Sequence, residues 1–142
     1  MSNIIFKTVE YGGNEHNQAI KLRKEVLYKA RGISPNDYSE KEEHVQIAGF
    51  VNDDIVATCS LVPEGDECRM RYVAIKSDAQ GSGIGSKLLV FFEEQAREKK
   101  FKYIYCHARE TAIKFYTRNG YITEGDVFEQ VTIPHIKMRK TL

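Results

Sequence analysis

The sequence predicts a single α/β domain with a mixed sheet, and three observations predict it. Two amphipathic helical stretches, near residues 14–29 and 84–99, stand among strand-like apolar runs. A hairpin signal lies between them, and a glycine-rich turn joins the strand that follows to the second helix. No repeat, linker or low-complexity tract divides the 142 residues, a length suited to one domain with a proper core.

Ile4 to Val9 reads as the first strand. A helix is expected from Asn14 or Glu15 to about Lys29, with Ala19, Leu22, Val26 and Leu27 on one side. Gly32 and Pro35 break it, and the polar segment Pro35 to His44 is expected to hold a short second helix. Val45 to Val51 and Ile55 to Val62 flank the turn-forming Asn52-Asp53-Asp54, which makes the hairpin. Pro63-Glu64-Gly65-Asp66 then turns the chain into a strand from Cys68 to Ile75.

Beyond the glycine turn, Ile84, Leu88, Phe91, Phe92 and Ala96 recur at helical spacing, and Lys99-Lys100 suit the helix C-terminus. Tyr103 to His107 is a short strand, and Glu110 to Asn119 a compact helix with Ala112, Phe115 and Tyr116 inward. Gly120 supplies the residue expected just past that helix. Ile122 to Met138 reads as a terminal strand pair. Pro134 cannot donate to a ladder, and the parity of Val131 and Ile133 against Ile136 and Met138 predicts a bulge there.

Composition excludes several functions. Hydrophobic residues at 42% and charged residues at 29% are ordinary for a soluble globular chain, and a net charge of +1 gives no global field toward nucleic acid or anionic membrane. No apolar run approaches a membrane span, and Met1-Ser2-Asn3-Ile4 lacks a signal-peptide layout. Cys59, Cys68 and Cys106 are odd in number and never spaced Cys-x-x-Cys, and the four histidines show no ligand spacing. A reducing, cytoplasmic setting without a metal is therefore expected.

The stretch Gln80-Gly81-Ser82-Gly83-Ile84-Gly85-Ser86 carries the chemistry. Alternate glycines let the backbone turn tightly, and a helix that begins there presents N–H groups with no intrahelical partner. With the positive end of the helix dipole, these make an anion site suited to phosphate or pyrophosphate. The nucleotide-triphosphatase loop fails because Gly-Lys-Ser/Thr is absent, and the dinucleotide fingerprint fails because its third glycine would fall at Ser86 or Leu88. What remains is Gln-x-x-Gly-x-Gly: Gln80, Gly83 and Gly85 after the strand Val73-Ala74-Ile75.

That pattern resembles the coenzyme A pyrophosphate loop of the GNAT N-acetyltransferase superfamily. The resemblance continues in order and spacing through His107-Ala108-Arg109-Glu110-Thr111-Ala112, Phe115-Tyr116 and Gly120-Tyr121. Phe128-Glu129 and Ile133-Pro134-His135-Ile136-x-Met138 are similar to a bacterial subgroup of small, mostly uncharacterised members, and Leu22-Arg23-x-x-Val26 is similar to that subgroup's first helix. The resemblance implies the acyl-CoA N-acyltransferase fold, one domain over residues 1–142 with a mainly antiparallel sheet flanked by helices.

It also implies a chemistry. Acetyl-CoA would be the co-substrate, its pantetheine arm paired with the backbone of Val73 and Ile75 like a short extra strand. Its pyrophosphate would lie on the N–H groups of Gly81, Ser82, Gly83, Ile84, Gly85 and Ser86, with Gln80 where many members have arginine. A backbone N–H near Ala74 would hold the thioester oxygen. Tyr116 would protonate the leaving thiolate after direct attack by a primary amine of a small molecule or peptide. The strand ahead of the loop, Arg69-Met70-Arg71-Tyr72, offers no carboxylate base, which leaves His107, His135 or water. Arg109 stands where many members have asparagine and either touches coenzyme A or pairs with Glu110. Lys87 faces a phosphate or solvent.

The resemblance places residues 29–43 over the acceptor side, where Glu40, Glu42 and Glu43 either attract a cationic amine or form a solvated helix face. Oligomeric state is open, a homodimer included. A non-catalytic acyl-CoA sensor of the same fold is the alternative, and a nucleotide-binding enzyme the more distant one.

Overall fold

Period-two alternation along each strand assigns its side chains to one of two layers. In the computed structural model, which describes residues 3–28, 41–130 and 133–142, the strands are β1 (Ile5–Val9), β2 (Val45–Val51), β3 (Asp54–Glu64), β4 (Glu67–Ile75), β5 (Tyr103–Arg109), β6 (Ile122–Gln130) and β7 (Ile133–Thr141). They form one seven-stranded sheet in the order β1-β2-β3-β4-β5-β7-β6. Every neighbouring pair is antiparallel except β4 with β5, which is parallel.

One face of the sheet is apolar. Cys59 and Leu61 of β3, Cys68 and Met70 of β4, Ile104 and Cys106 of β5 and Met138 of β7 pack under α2 (Ile84–Glu98) and α3 (Ile113–Arg118). The helices answer with Leu88, Leu89, Phe92, Ala96 and Tyr116, all buried, as the helical spacing of residues 84–96 requires. Tyr121, just past α3, closes this layer by donating to Glu93, which also takes an ion pair from Lys140 at 2.9 Å.

The other face meets α1 (Asn14–Arg23) through Arg23, whose fully buried guanidinium anchors the helix to the sheet. Its Nη2 donates to Gln46 Oε1 at 2.9 Å, Thr58 Oγ1 at 2.8 Å and the Cys59 carbonyl at 3.2 Å. The helix expected to reach Lys29 instead changes to a π-helical turn over Lys24–Tyr28, a form that clusters at functional sites. The expected helix of residues 35–44 falls largely outside the described residues, and 41–44 form a turn closed by His44 N–H on the Lys41 carbonyl.

Two irregularities shape the sheet. Ser60 pairs with Arg71 but Thr58 with Ala74, so Tyr72 and Val73 together oppose Cys59 and form a β-bulge. Tyr72 takes the left-handed φ of 56° that this requires. The bulge predicted at Pro134 is not there. Pro134 pairs with Glu129 in unbroken register, and the irregularity lies on β6 between Glu124 and Phe128, where Gly125 adopts a φ of 81°. Glycine accommodates the extra residues there, so the proline strand stays regular.

Candidate active site

Parallel strands β4 and β5 pair only from Glu67↔Tyr103 to Met70↔Cys106, although β4 runs on to Ile75 and β5 to Arg109. Beyond the bulge the two strands separate, and a cleft of about 760 Å³ opens between them. Its geometry follows from the ladder. Lys76 N–H donates to the Val56 carbonyl at 2.8 Å, so the alternation of an antiparallel pair turns Ala74 toward β3 and the backbone groups of Ile75 toward the cleft, which Val73 also lines. Ala74 itself is 1% exposed and is not among the residues that line the cleft.

The glycine loop stands at the far end of β4. Gly81 and Gly83 have φ of 81° and 83°, and a Cβ at either would meet nothing within 4 Å, so their part is conformational. Gly83 caps α2, and the first-turn N–H groups that follow it have no intrahelical acceptor. Gly85 has a second reason to be glycine: a Cβ there would stand 3.0 Å from Phe115 Cζ. Gln80 folds back, its Nε2 donating to the Ile75 carbonyl at 3.0 Å, so it ties the loop to the strand end. Gly81, Gly83, Gly85, Ser86, Gln80 and Arg109 line the cleft with Val73 and Ile75. Ser82 and Ile84 do not; the Ser82 hydroxyl donates to the Ala79 carbonyl and Ile84 packs on the core. Lys87 is exposed.

Tyr116 lies at the apex, 6% exposed, with its ring edge-on to Phe115 and Tyr121. Its hydroxyl lies beside the Cys106 thiol. Burial pushes the Tyr116 hydroxyl well above its ordinary pKa, and the neighbouring Cys106 and Cys59 push it further. Burial also pushes the Cys106 thiol up to about 12.

The sequence reading did not assemble the opposite wall. Arg69 and Arg71 alternate with the core-facing Cys68 and Met70, and His107 alternates with Cys106 and Ala108, so all three project from the sheet face away from α2. Arg69 Nη2 lies 2.9 Å and Gln130 Oε1 2.7 Å from the same atom, His107 Nδ1. Arginine can only donate and the amide oxygen can only accept, so the two partners favour opposite tautomers. Burial first, and then Arg69, holds the His107 pKa down. His135, 5% exposed, is simpler: Nδ1–H donates to the Ile133 carbonyl at 2.8 Å, which leaves the lone pair on Nε2. Arg69-x-Arg71 at strand period was the available signal for this wall.

A family model described as the acetyltransferase (GNAT) domain matches residues 18–142. The chain belongs to the GNAT acetyltransferase family. Among solved structures, this GNAT chain is similar to a candidate N-acetyltransferase of Lactobacillus plantarum, with 26% identity over 99% of this chain and 97% of that one and a TM-score of 0.88. Escherichia coli ElaA shares 20% identity over 97% and 99% of the two chains, with a TM-score of 0.87. A GNAT acetyltransferase of Elizabethkingia anophelis, solved with acetyl-CoA bound, shares 16% identity over the whole of both chains, with a TM-score of 0.77. The acyl-CoA N-acyltransferase fold expected from the loop is the fold observed. No helix among the described residues is long and apolar enough to cross a membrane.

Proposed function

We propose that this GNAT protein transfers an acetyl group from acetyl-CoA to a primary amine by direct attack. The observation that carries this reading is the opening of β4 from β5 beyond Met70↔Cys106, with the glycine loop at its far end and Tyr116 at its apex. The residues fit acetyl-CoA. The backbone of Val73 and Ile75 along the cleft matches the amides of an extended pantetheine arm, and the first-turn N–H groups of α2 match a pyrophosphate. Acetyl-CoA supplies an activated thioester.

The chain's own groups do the rest. A backbone N–H near Ala74 donates to the thioester oxygen as negative charge grows on it. His135 Nε2 takes the proton from the arriving ammonium. Tyr116 protonates the departing sulfur. The burial that lifts the Tyr116 hydroxyl keeps its proton in place until a thiolate is expelled beside it.

The test measures acetyl-CoA binding by calorimetry and thiol release with a panel of amines. Binding with turnover supports the proposal. Tight binding with no thiol release from any amine would favour a non-catalytic acyl-CoA sensor.

A further inference from the structure

We infer that the acceptor amine carries an oxyanion, a carboxylate or a phosphate monoester, which Arg69 and Arg71 bind; this rests on the acetyltransfer proposed above. The described residues that line the cleft include four arginines and two histidines and no aspartate or glutamate. The cations divide by position. Arg109 at the end of β5 and Arg118 on α3 belong with the end that would take coenzyme A phosphates. Arg69 and Arg71 stand further down the cleft on the sheet face away from α2, beside His107, Gln130 and His135; strand alternation sets Arg109 on that same face, at the strand end beyond His107.

Among the described residues neither guanidinium has an ion-pair partner: Arg71 lies over the Tyr72 ring at 4.5 Å, Arg69 contacts the His107 ring nitrogen and the Tyr105 ring, and Glu64, the carboxylate whose charge reaches Arg69, accepts from the Tyr105 hydroxyl at 2.6 Å. Arg69 Nε is buried without a hydrogen-bond partner. Burial lowers the Arg69 pKa and the neighbouring Arg71 lowers it further, while Tyr105 and Glu64 offset part of this. Glu42 and Glu43, expected to draw a cationic amine, are exposed and absent from the lining.

The same wall serves the chemistry. Planar guanidinium forks match carboxylate and phosphate geometry. Their charge also disfavours the ammonium form of the nitrogen beside them, so a neutral, nucleophilic amine is the form that this wall admits. An oxyanion that draws Arg69 away from His107 leaves Gln130 to fix the Nδ1–H tautomer.

The experiment compares acceptors that differ by one anion, with acetyl-CoA saturating: L-glutamate against 4-aminobutyrate, L-phenylalanine against phenethylamine, phosphoethanolamine against ethanolamine, and glucosamine 6-phosphate against glucosamine. The two amino-acid pairs read a carboxylate and the last two a phosphate. In at least one pair the anionic member should have a kcat/KM higher by about ten- to a hundredfold, as a charge-assisted hydrogen bond gives. Arg71→Gln should collapse that ratio toward one by raising the KM of the anionic member alone, and Arg71→Lys should restore part of it. If Arg69→Gln fails to fold, Arg71→Gln at the half-exposed position decides alone. Equal or better use of the anion-free members, or an Arg71→Gln effect equal on both, would overturn the inference and leave acetyltransfer standing. Calorimetric binding of acetyl-CoA with no thiol release from any amine would overturn the acetyltransfer proposal, and this inference with it.

Discussion

The two walls of the cleft are built from different materials. The wall at the glycine loop is mostly backbone: turned N–H groups after Gly83, strand groups of Val73 and Ile75, and glycines where side chains would intrude. The wall across from it is side chain, with Arg69, Arg71, His107 and His135 from β4, β5 and β7, and Gln130 from β6. Under the proposed acetyltransfer, backbone would recognise what every member of a ligand class shares, an extended amide chain and a pyrophosphate, and side chains would recognise what differs, the acceptor.

The largest expected effect tests the point where the walls meet. Tyr116→Phe keeps the ring packing and removes the proton donor, so kcat should fall by roughly 10²–10⁴-fold, with acetyl-CoA affinity little changed. Unaltered kcat with chemistry rate-limiting would make Tyr116 a core residue only. Next, Gly83→Glu should weaken acetyl-CoA binding by about a hundredfold or more, because it sets a like charge at the pyrophosphate and strains a φ of 83°. Calorimetry should register this loss while circular dichroism stays unchanged. Wild-type affinity in that variant would remove the loop from the cofactor wall.

A smaller effect separates packing from binding on the backbone wall. Gly85→Ala brings a methyl to 3.0 Å from Phe115 Cζ, a crowding cost of about 1–3 kcal/mol set against a helix-propensity gain of about 1 kcal/mol. Thermal melting should drop by about 2–4 °C, and Phe115→Leu in the same chain should recover it. If the added Phe115→Leu leaves the drop in place, the contact is not its cause. The smallest effect is on the acceptor side. Glu42→Gln with Glu43→Gln should leave acceptor KM within about twofold, since loss of exposed charge outside the lining removes little binding. A larger rise would return these glutamates to the acceptor wall; Glu40, expected beside them, lies outside the described residues.

The difference in material also explains what the sequence could reveal. Loop chemistry is local: Gly81, Gly83 and Gly85 announce positive φ and open backbone within seven residues, and the helix after them shows in its spacing. The order of elements along the chain and the α2 core were legible for the same reason. The acceptor wall is non-local, since His107 meets Gln130 and Arg69 only after β5, β6, β7 and β4 assemble. The bulge at Tyr72 was also hidden, because an aromatic residue at a φ of 56° carries no glycine to mark it. At Pro134 the reverse held: a conspicuous residue suggested an irregularity that glycine absorbs elsewhere, at Gly125.

The parting of β4 from β5 also bears on how the protein keeps company with other chains. It gives the sheet an inner edge at Val73 and Ile75, in addition to the outer edges on β1 and β6. Unpaired strand edges invite a foreign strand to add itself. This inner edge is sunk between α1 on one face and α2 with α3 on the other, and Arg71, Arg109 and Arg118 fringe it with charge. A polypeptide strand, with side chains on both sides, is too broad and too poorly matched to enter. A slender chain of two amides ending in phosphates is neither. The features proposed to hold the co-substrate would thus double as a guard against aggregation, admitting by thickness and charge what pairing alone would not refuse.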